Sequence, residues 1–250
     1  MLRATSSAAS RSPGTRWTSP LSAIAIVTAR GGSQRIPRKN LRDFAGKPMI
    51  AWPVETAVRS GLFDRVIVST DDPDIADAAI RAGAEAPFVR PAELADHHAG
   101  TVEVVGHAVD WARSAGQDFD CACCLYGTAA FTSPSDLASA RDLHSEGWDY
   151  VFAAGRFQRA PQRALVRGEG GAAAMLQPEY AGTRSQDLKP AYFDAGQFYW
   201  GSADAWAQRR PIFGPRTSFI ELPPERAVDI DTPDDWAMAE RQFSEWMQRG

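Results

Sequence analysis

The stretch Ala23-Ile24-Ala25-Ile26-Val27-Thr28-Ala29-Arg30-Gly31-Gly32-Ser33-Gln34-Arg35-Ile36-Pro37-Arg38-Lys39-Asn40 decides how the rest of the chain is read. An apolar, β-branched run reads as a strand over Ala23–Ala29. It delivers a small-residue loop that ends in a cluster of cations. Glycines let a backbone approach a ligand closely, their N–H groups can point inward, and cations offset phosphate charge, so the pattern suits a polyanion. The stretch lacks the Gly-Lys-Ser/Thr of a P-loop and the three-glycine dinucleotide fingerprint. A nucleotide-handling fold of another kind is therefore expected.

Working outward, strand and helix signals alternate. A helix is expected over Met49–Ser60, starting or kinked at Pro53 and closed by Gly61. A buried strand follows over Arg65–Thr70. Asp71-Asp72-Pro73 then reads as a turn into a helix over Asp74–Ala82, stopped by Gly83. Pro87-Phe88-Val89 reads as a short strand and Thr101–Ala115 as a helix with Thr101 at its start. Further strands are expected over Cys121–Tyr126 and Tyr150–Ala154, with a helix opened by Ser133-Pro134-Ser135-Asp136 between them. This order argues for an α/β fold with a mostly parallel sheet and helices on both faces. The ligand then belongs at the carboxyl ends of the strands, where Arg30, Asp71 and Tyr126 fall. Residues 155–193 break the rhythm and read as an inserted lobe or subunit contact. Regular structure resumes with a strand over Gly196–Gly201, a helix near Ala203–Gln208 and a strand over Phe219–Leu222. The closing helix, Pro233–Met247, places Trp236, Ala239, Phe243 and Met247 on one face.

The 250 residues carry a net charge of −4, with 44% hydrophobic and 23% charged residues. That argues against a non-specific nucleic-acid binder. No apolar run reaches membrane-spanning length, so no membrane partner is expected. The three cysteines fall in Cys121-Ala122-Cys123-Cys124 with no second Cys/His cluster at ligand spacing, which favours core residues in a reduced compartment over a metal or redox site. Residues 1–20 are rich in Ser, Thr, Ala and Arg, with no acidic residue. They read as a disordered tail, with an organelle-targeting peptide as the alternative. The folded domain is expected over 21–250.

Asp229 and Asp231 are spaced i, i+2, which in an extended segment puts both carboxylates on one side. Their repulsion would be relieved by a divalent cation, and Mg²⁺ favours carboxylate and phosphate oxygens. Capping of the helix at Pro233, by Asp231 or Thr232, is the competing role.

Seven segments in order carry a resemblance: Ala29–Ser33, Arg35–Asn40, Val68–Asp72, Arg90–Leu94, Thr183–Asp187, Asp194–Trp200 and Val228–Pro233. On these the chain resembles the CMP-nonulosonate synthetases, cytidylyltransferases that activate sialic-acid-like nine-carbon sugar acids. The resemblance covers about Ala23 to Met247. It implies a Rossmann-like nucleotidyltransferase fold with a small inserted dimerisation lobe, a cytoplasmic homodimer, and CTP and a nonulosonic acid as substrates. The implied reaction is CTP + nonulosonate → CMP-nonulosonate + pyrophosphate with Mg²⁺. Phosphorus chemistry of this kind asks for positioning and charge neutralisation.

By the same resemblance, Arg30, Gly31, Gly32, Ser33, Gln34, Arg38, Lys39 and Asn40 form the nucleotide loop, with Arg30 and Lys39 also catalytic. Arg90, Ala99 and Thr101 hold cytosine and ribose, and Asp229 and Asp231 are the catalytic metal carboxylates. The sugar side is assigned to Tyr126, Thr128, Arg184, Gln186, Gln197 and Tyr199; Arg184 suits a carboxylate through its forked donors. Three departures stand out. Gln34 replaces a usual Lys, Ala130 replaces a usual Pro, and Tyr126 stands where sialic acid synthetases have Gln. Tyr there is the pattern of the pseudaminic branch. Sialic and legionaminic acids remain alternative substrates. Gln34 leaves a nucleotide-binding protein without turnover as the alternative of another class.

Overall fold

A computed structural model describes residues 21–96 and 99–249. The expected tail, 1–20, lies outside the described residues.

Strand β1 (Ala23–Thr28) is buried along almost its whole length and lies at the centre of the architecture. It pairs in parallel with β4 (Arg65–Ser69) on one side and β5 (Cys121–Tyr126) on the other. Between β1 and β4 come a hairpin of β2 (Asp43–Phe44) and β3 (Lys47–Pro48), then α1 (Ala51–Ser60). Helices α2 (Pro73–Arg81) and α3 (Thr101–Ser114) lead to β5, and α4 (Pro134–His144) leads to β6 (Tyr150–Arg156). A second hairpin, β7 (Leu165–Arg167) and β8 (Ala173–Met175), precedes the long β9 (Tyr192–Ser202). The chain closes with α5 (Ala203–Ala207), β10 (Thr217–Leu222) and α6 (Pro233–Met247).

The six-stranded sheet has the order β10-β6-β9-β5-β1-β4. Only β9 runs antiparallel, against both β5 and β6. The expected mostly parallel sheet is thus present, with helices on both faces. Alternation along β5 sends Cys121 and Cys123 into the core under α1, α2 and α4, and Cys124 into the core under α3 and α5. All three thiols are free, and burial raises the pKa of each. A third core, around Phe44, Phe131, Trp236 and Phe243, seats α6 against the β2–β3 hairpin.

Helix ends follow local chemistry. Asp72 caps α2 by accepting from the N–H groups of Asp74 (2.8 Å) and Ile75 (3.3 Å). Ser133 with Asp136, and Thr232 with Asp235, form capping boxes on α4 and α6. Helix α1 starts at Ala51, so Pro53 sits in its first turn, where its missing N–H leaves no intrahelical bond unmade.

Several expectations are corrected. Pro87-Phe88-Val89 is not a strand; the sheet contact there is an isolated bridge from Glu85 to Ile67. Helix α3 does start at Thr101, with Gly100 as its N-cap and the Thr101 hydroxyl bonded to Tyr126. Met247 lies past the core and is 53% exposed, while Trp236, Ala239 and Phe243 are buried. The segment 155–193 is partly sheet, entered by β6 and β9 from either end.

Candidate active site

A cavity of about 440 Å³ opens at the carboxyl ends of β1 and β5. Its floor is Thr28, Ala29, Gly127 and Thr128. Its walls carry Arg30, Lys39, Asp229 and Asp231, together with Tyr126, Tyr199, Asp194 and Thr101, and also Arg90 and Ala99. Eleven of the expected site residues are therefore brought together: Arg30, Lys39, Asn40, Arg90, Ala99, Thr101, Tyr126, Thr128, Tyr199, Asp229 and Asp231.

Lys39 and the two aspartates are tied together across the chain. Lys39 Nζ donates to the Ile230 carbonyl at 2.7 Å and lies 3.6 Å from Asp231 Oδ1. Burial lowers the Lys39 pKa, against the attraction of Asp231 and Asp229. Arg35 reaches Asp231 Oδ2 at 3.0 Å, so a guanidinium next to Gln34 does face this carboxylate. Asn40 Nδ2 donates to the Arg30 carbonyl at 3.1 Å and holds the loop shut on itself. Ile230 is buried between the two aspartates, so both carboxylates emerge on the cavity side. Burial, and then Asp231, raise the Asp229 pKa. Because Thr232 and Asp235 cap α6, the Asp231 side chain is left to Arg35 and Lys39.

Arg90 is buried, and its guanidinium donates to the hydroxyl and the carbonyl of Ser69. Burial pulls its pKa down to about 10 despite the nearby Asp71. The Thr101 and Tyr126 hydroxyls are 2.6 Å apart, and burial pushes the Tyr126 pKa up to about 12. The Tyr199 hydroxyl donates to Asp194.

Other expected residues lie off the cavity. The Gly31 N–H donates to Asp71 Oδ1 at 3.1 Å and so does not face inward. A Cβ on Gly31 would stand 2.7 Å from Asp72 Oδ2, which is why glycine is needed there. Gly32, Ser33 and Gln34 do not line the cavity, and Arg38 turns to Asp74 at 2.6 Å near the start of α2. Gln197 is fully buried; it accepts from Thr132 at 2.8 Å and donates to the Arg226 carbonyl, leaving no amide face for a sugar. Arg184 is exposed and paired with Asp187 at 2.8 Å, and Gln186 is exposed beside it, so neither reaches the cavity within one chain.

Asp194, like Asp96, is a lining carboxylate that sequence reasoning did not assign to the site. Its signal was the Asp-Ala-Gly-Gln-Phe-Tyr segment itself, with an aspartate two residues before a glycine. Gly196 has φ +62°, and a Cβ there would stand 3.2 Å from Asp229 Oδ1.

The sequence matches the family model described as Cytidylyltransferase over residues 24–163. It is 42% identical over 217 residues to the pseudaminic acid cytidylyltransferase of Campylobacter jejuni subsp. jejuni serotype O:2, covering 86% of this chain and 94% of that protein. It is 29% identical over 225 residues to the CMP-N,N'-diacetyllegionaminic acid synthase of Legionella pneumophila subsp. pneumophila, covering 87% and 94%. A solved structure of CMP:2-keto-3-deoxy-manno-octonic acid synthetase complexed with CTP shares the fold, with a TM-score of 0.64 over 92% of this chain and 100% of that chain at 20% identity. A family match over more than half of the sequence, and a 42% identical relative aligned along nearly all of its own length, leave one conclusion: this chain belongs to the cytidylyltransferases.

Proposed function

We propose that this protein transfers CMP from CTP to the anomeric hydroxyl of pseudaminic acid, releasing pyrophosphate. The observation that carries the chemistry is the lining of the cavity, which gathers the cations Arg30 and Lys39, the carboxylates Asp229, Asp231 and Asp194, and the hydroxyls of Thr101, Tyr126 and Tyr199. Such a cleft suits a triphosphate next to a polyhydroxylated acid. The choice of sugar is supported by the 42% identical relative and by Tyr126, which lines the cavity.

Mg²⁺ is assigned to Asp229 and Asp231. The donors fit a hard cation: two carboxylates from one extended segment, with Asp229 raised in pKa by burial and by its neighbour. Among the described residues no group of three or more His, Cys, Asp or Glu side chains is arranged to hold a metal. Phosphate oxygens and water would complete the shell, as Mg²⁺ prefers. When bound, the ion would neutralise charge on the phosphates as pyrophosphate leaves.

The protein's own groups do the rest. Lys39, held by the Ile230 carbonyl, presents its ammonium to the phosphates. Arg30 adds a second cation, fixed through its carbonyl by Asn40. Arg90, Ala99 and Thr101 take the cytidine, and Tyr126, Thr128 and Tyr199 take the sugar acid. Arg184 and Gln186, which stand away from the cavity, would meet the sugar across a homodimer. The exposed apolar side chains of that lobe, Leu165 (66%), Val166 (44%) and Leu176 (58%), suit such a contact. The requirement for CTP and the three free thiols fit the cytoplasm. No helix of the described residues is long and apolar enough to cross a membrane.

The test is pyrophosphate release with CTP and Mg²⁺ against pseudaminic, legionaminic and N-acetylneuraminic acids, each offered separately. Turnover with pseudaminic acid alone is expected. Turnover with another acid would keep the chemistry and discard the sugar. CTP binding with no turnover on any acid would favour a nucleotide-binding protein without activity. Light scattering at micromolar concentration tests the dimer, and a monomer would overturn it.

A further inference from the structure

Asp194 and Tyr199 are five residues apart on one strand, a separation that regular alternation would send to opposite faces. They meet because β9 is irregular there. Opposite β6, Tyr199 pairs with Phe152 and Asp194 with Ala154, so five steps on β9 answer two on β6. Gly196, at φ +62°, takes up the excess. Bulges of this kind re-aim side chains beside functional sites. Here both side chains line the cavity.

The direction of the hydrogen bonds follows from the carboxylate. Ionised Asp194 only accepts, and it takes the Gly196 N–H at 3.0 Å and the Tyr199 hydroxyl. Tyr199 has one proton, now committed, so its oxygen can only accept. The Tyr126 ring packs edge-on against Tyr199, with centroids 5.5 Å apart. The Thr101 hydroxyl lies 2.6 Å from the Tyr126 hydroxyl. A carboxylate offers about four acceptor positions, and two are taken.

We propose that the remaining acceptor positions of Asp194 select a sugar acid that presents a hydroxyl or amide N–H to them. An acid offering an acceptor or a second carboxylate at that point would meet lone pairs with no proton between them. The inference rests on the activity proposed above and assigns a specificity-determining residue within it.

The experiment compares the full-length protein with Asp194→Asn under steady-state turnover. The amide can place N–H donors where wild type has only acceptors. KM for the acid is expected to rise about tenfold or more, with KM for CTP essentially unchanged. Mono-deoxy and N-methyl analogues of the acid, each lacking one donor, complete the test. One analogue should cost wild type a similar factor and cost Asp194→Asn little more. Equal movement of both KM values, or analogues that penalise the two proteins alike, would overturn the inference. Should Asp194→Asn fail to fold, Tyr199→Phe keeps the carboxylate and must still discriminate against the same analogue; loss of that discrimination overturns it. Wild-type turnover is measured first. If wild type uses another of the three acids, the sugar assignment fails and the same ratios on that acid test Asp194. If it uses none, the proposed activity itself fails and the inference falls with it.

Discussion

Lys39 Nζ lies 2.7 Å from the Ile230 carbonyl and 3.6 Å from the Asp231 carboxylate, joining the first loop to a segment 191 residues later. The contact places a cation where two carboxylates meet the cavity. It also holds that cation half out of water, which is why its pKa falls below the ordinary lysine value of 10.5.

Replacing Lys39 by Met should lower kcat by about 100-fold or more, the usual cost of removing a donor aimed at developing charge. Lys39→Arg should retain part of the rate. Because burial lowers the Lys39 pKa, kcat/KM for CTP in the wild type should begin to fall below pH 10.5 as the free-enzyme ammonium is lost. The Arg variant, protonated throughout, should lack that limb. A pH–rate profile of both proteins checks this.

Asp229→Asn should abolish turnover and raise Tm. The folded carboxylate has a pKa above its usual 3.8, through burial first and Asp231 second, so ionising it costs stability. The gain should be full at neutral pH and vanish as the pH falls below that ordinary value. Thermal melts at several pH values read the sign directly. With CTP present, Mg²⁺ should raise the Tm of wild type and leave the variant unmoved.

Gly196→Ala should impair both folding and activity. The residue has φ +62°, and the added Cβ would lie 3.2 Å from Asp229 Oδ1. The left-handed conformation alone costs about 1–2 kcal/mol for an L side chain. A larger loss in kcat than urea denaturation accounts for would show that the bulge also sets the position of Asp229.

His144 is fully buried on α4, and neither ring nitrogen has a partner among the described residues. Burial lowers its pKa from 6.5 to about 4. The unfolded chain therefore takes up the proton first, and stability falls as the pH drops from 6.5 toward 4. The full loss is roughly 3 kcal/mol by linkage. His144→Leu should remove this slope and equal or exceed wild type at pH 5, measured by urea denaturation across that range.

Much of the fold was legible because local chemistry and tertiary packing agreed. The strands β1, β4 and β5 are near-continuous apolar runs, as a sheet covered on both faces requires. Asp72-Pro73, Ser133-Pro134 and Thr232-Pro233 announced three helix starts by capping chemistry. The β2–β3 hairpin went unread because strands of two residues carry no period. Its turn needed positive φ at both Ala45 (53°) and Gly46 (92°), and only the glycine advertises that.

For the site, sequence alone marked residues that the fold then gathers in one cavity: Arg30 and Lys39 after β1, Tyr126 at the end of β5, and Asp229 and Asp231 before α6. Alternation and turn chemistry act over a few residues, so that information is local and can be read in order. What only the tertiary structure decided is which neighbours spend these groups on each other. Gln197 is consumed by Thr132 and Arg226, Arg38 by Asp74, and the Gly31 N–H by Asp71. Asp194 faces the cavity only because β9 bulges against β6. A buried hydrogen-bonding group must find a partner, and that partner is set by packing between segments far apart in the chain.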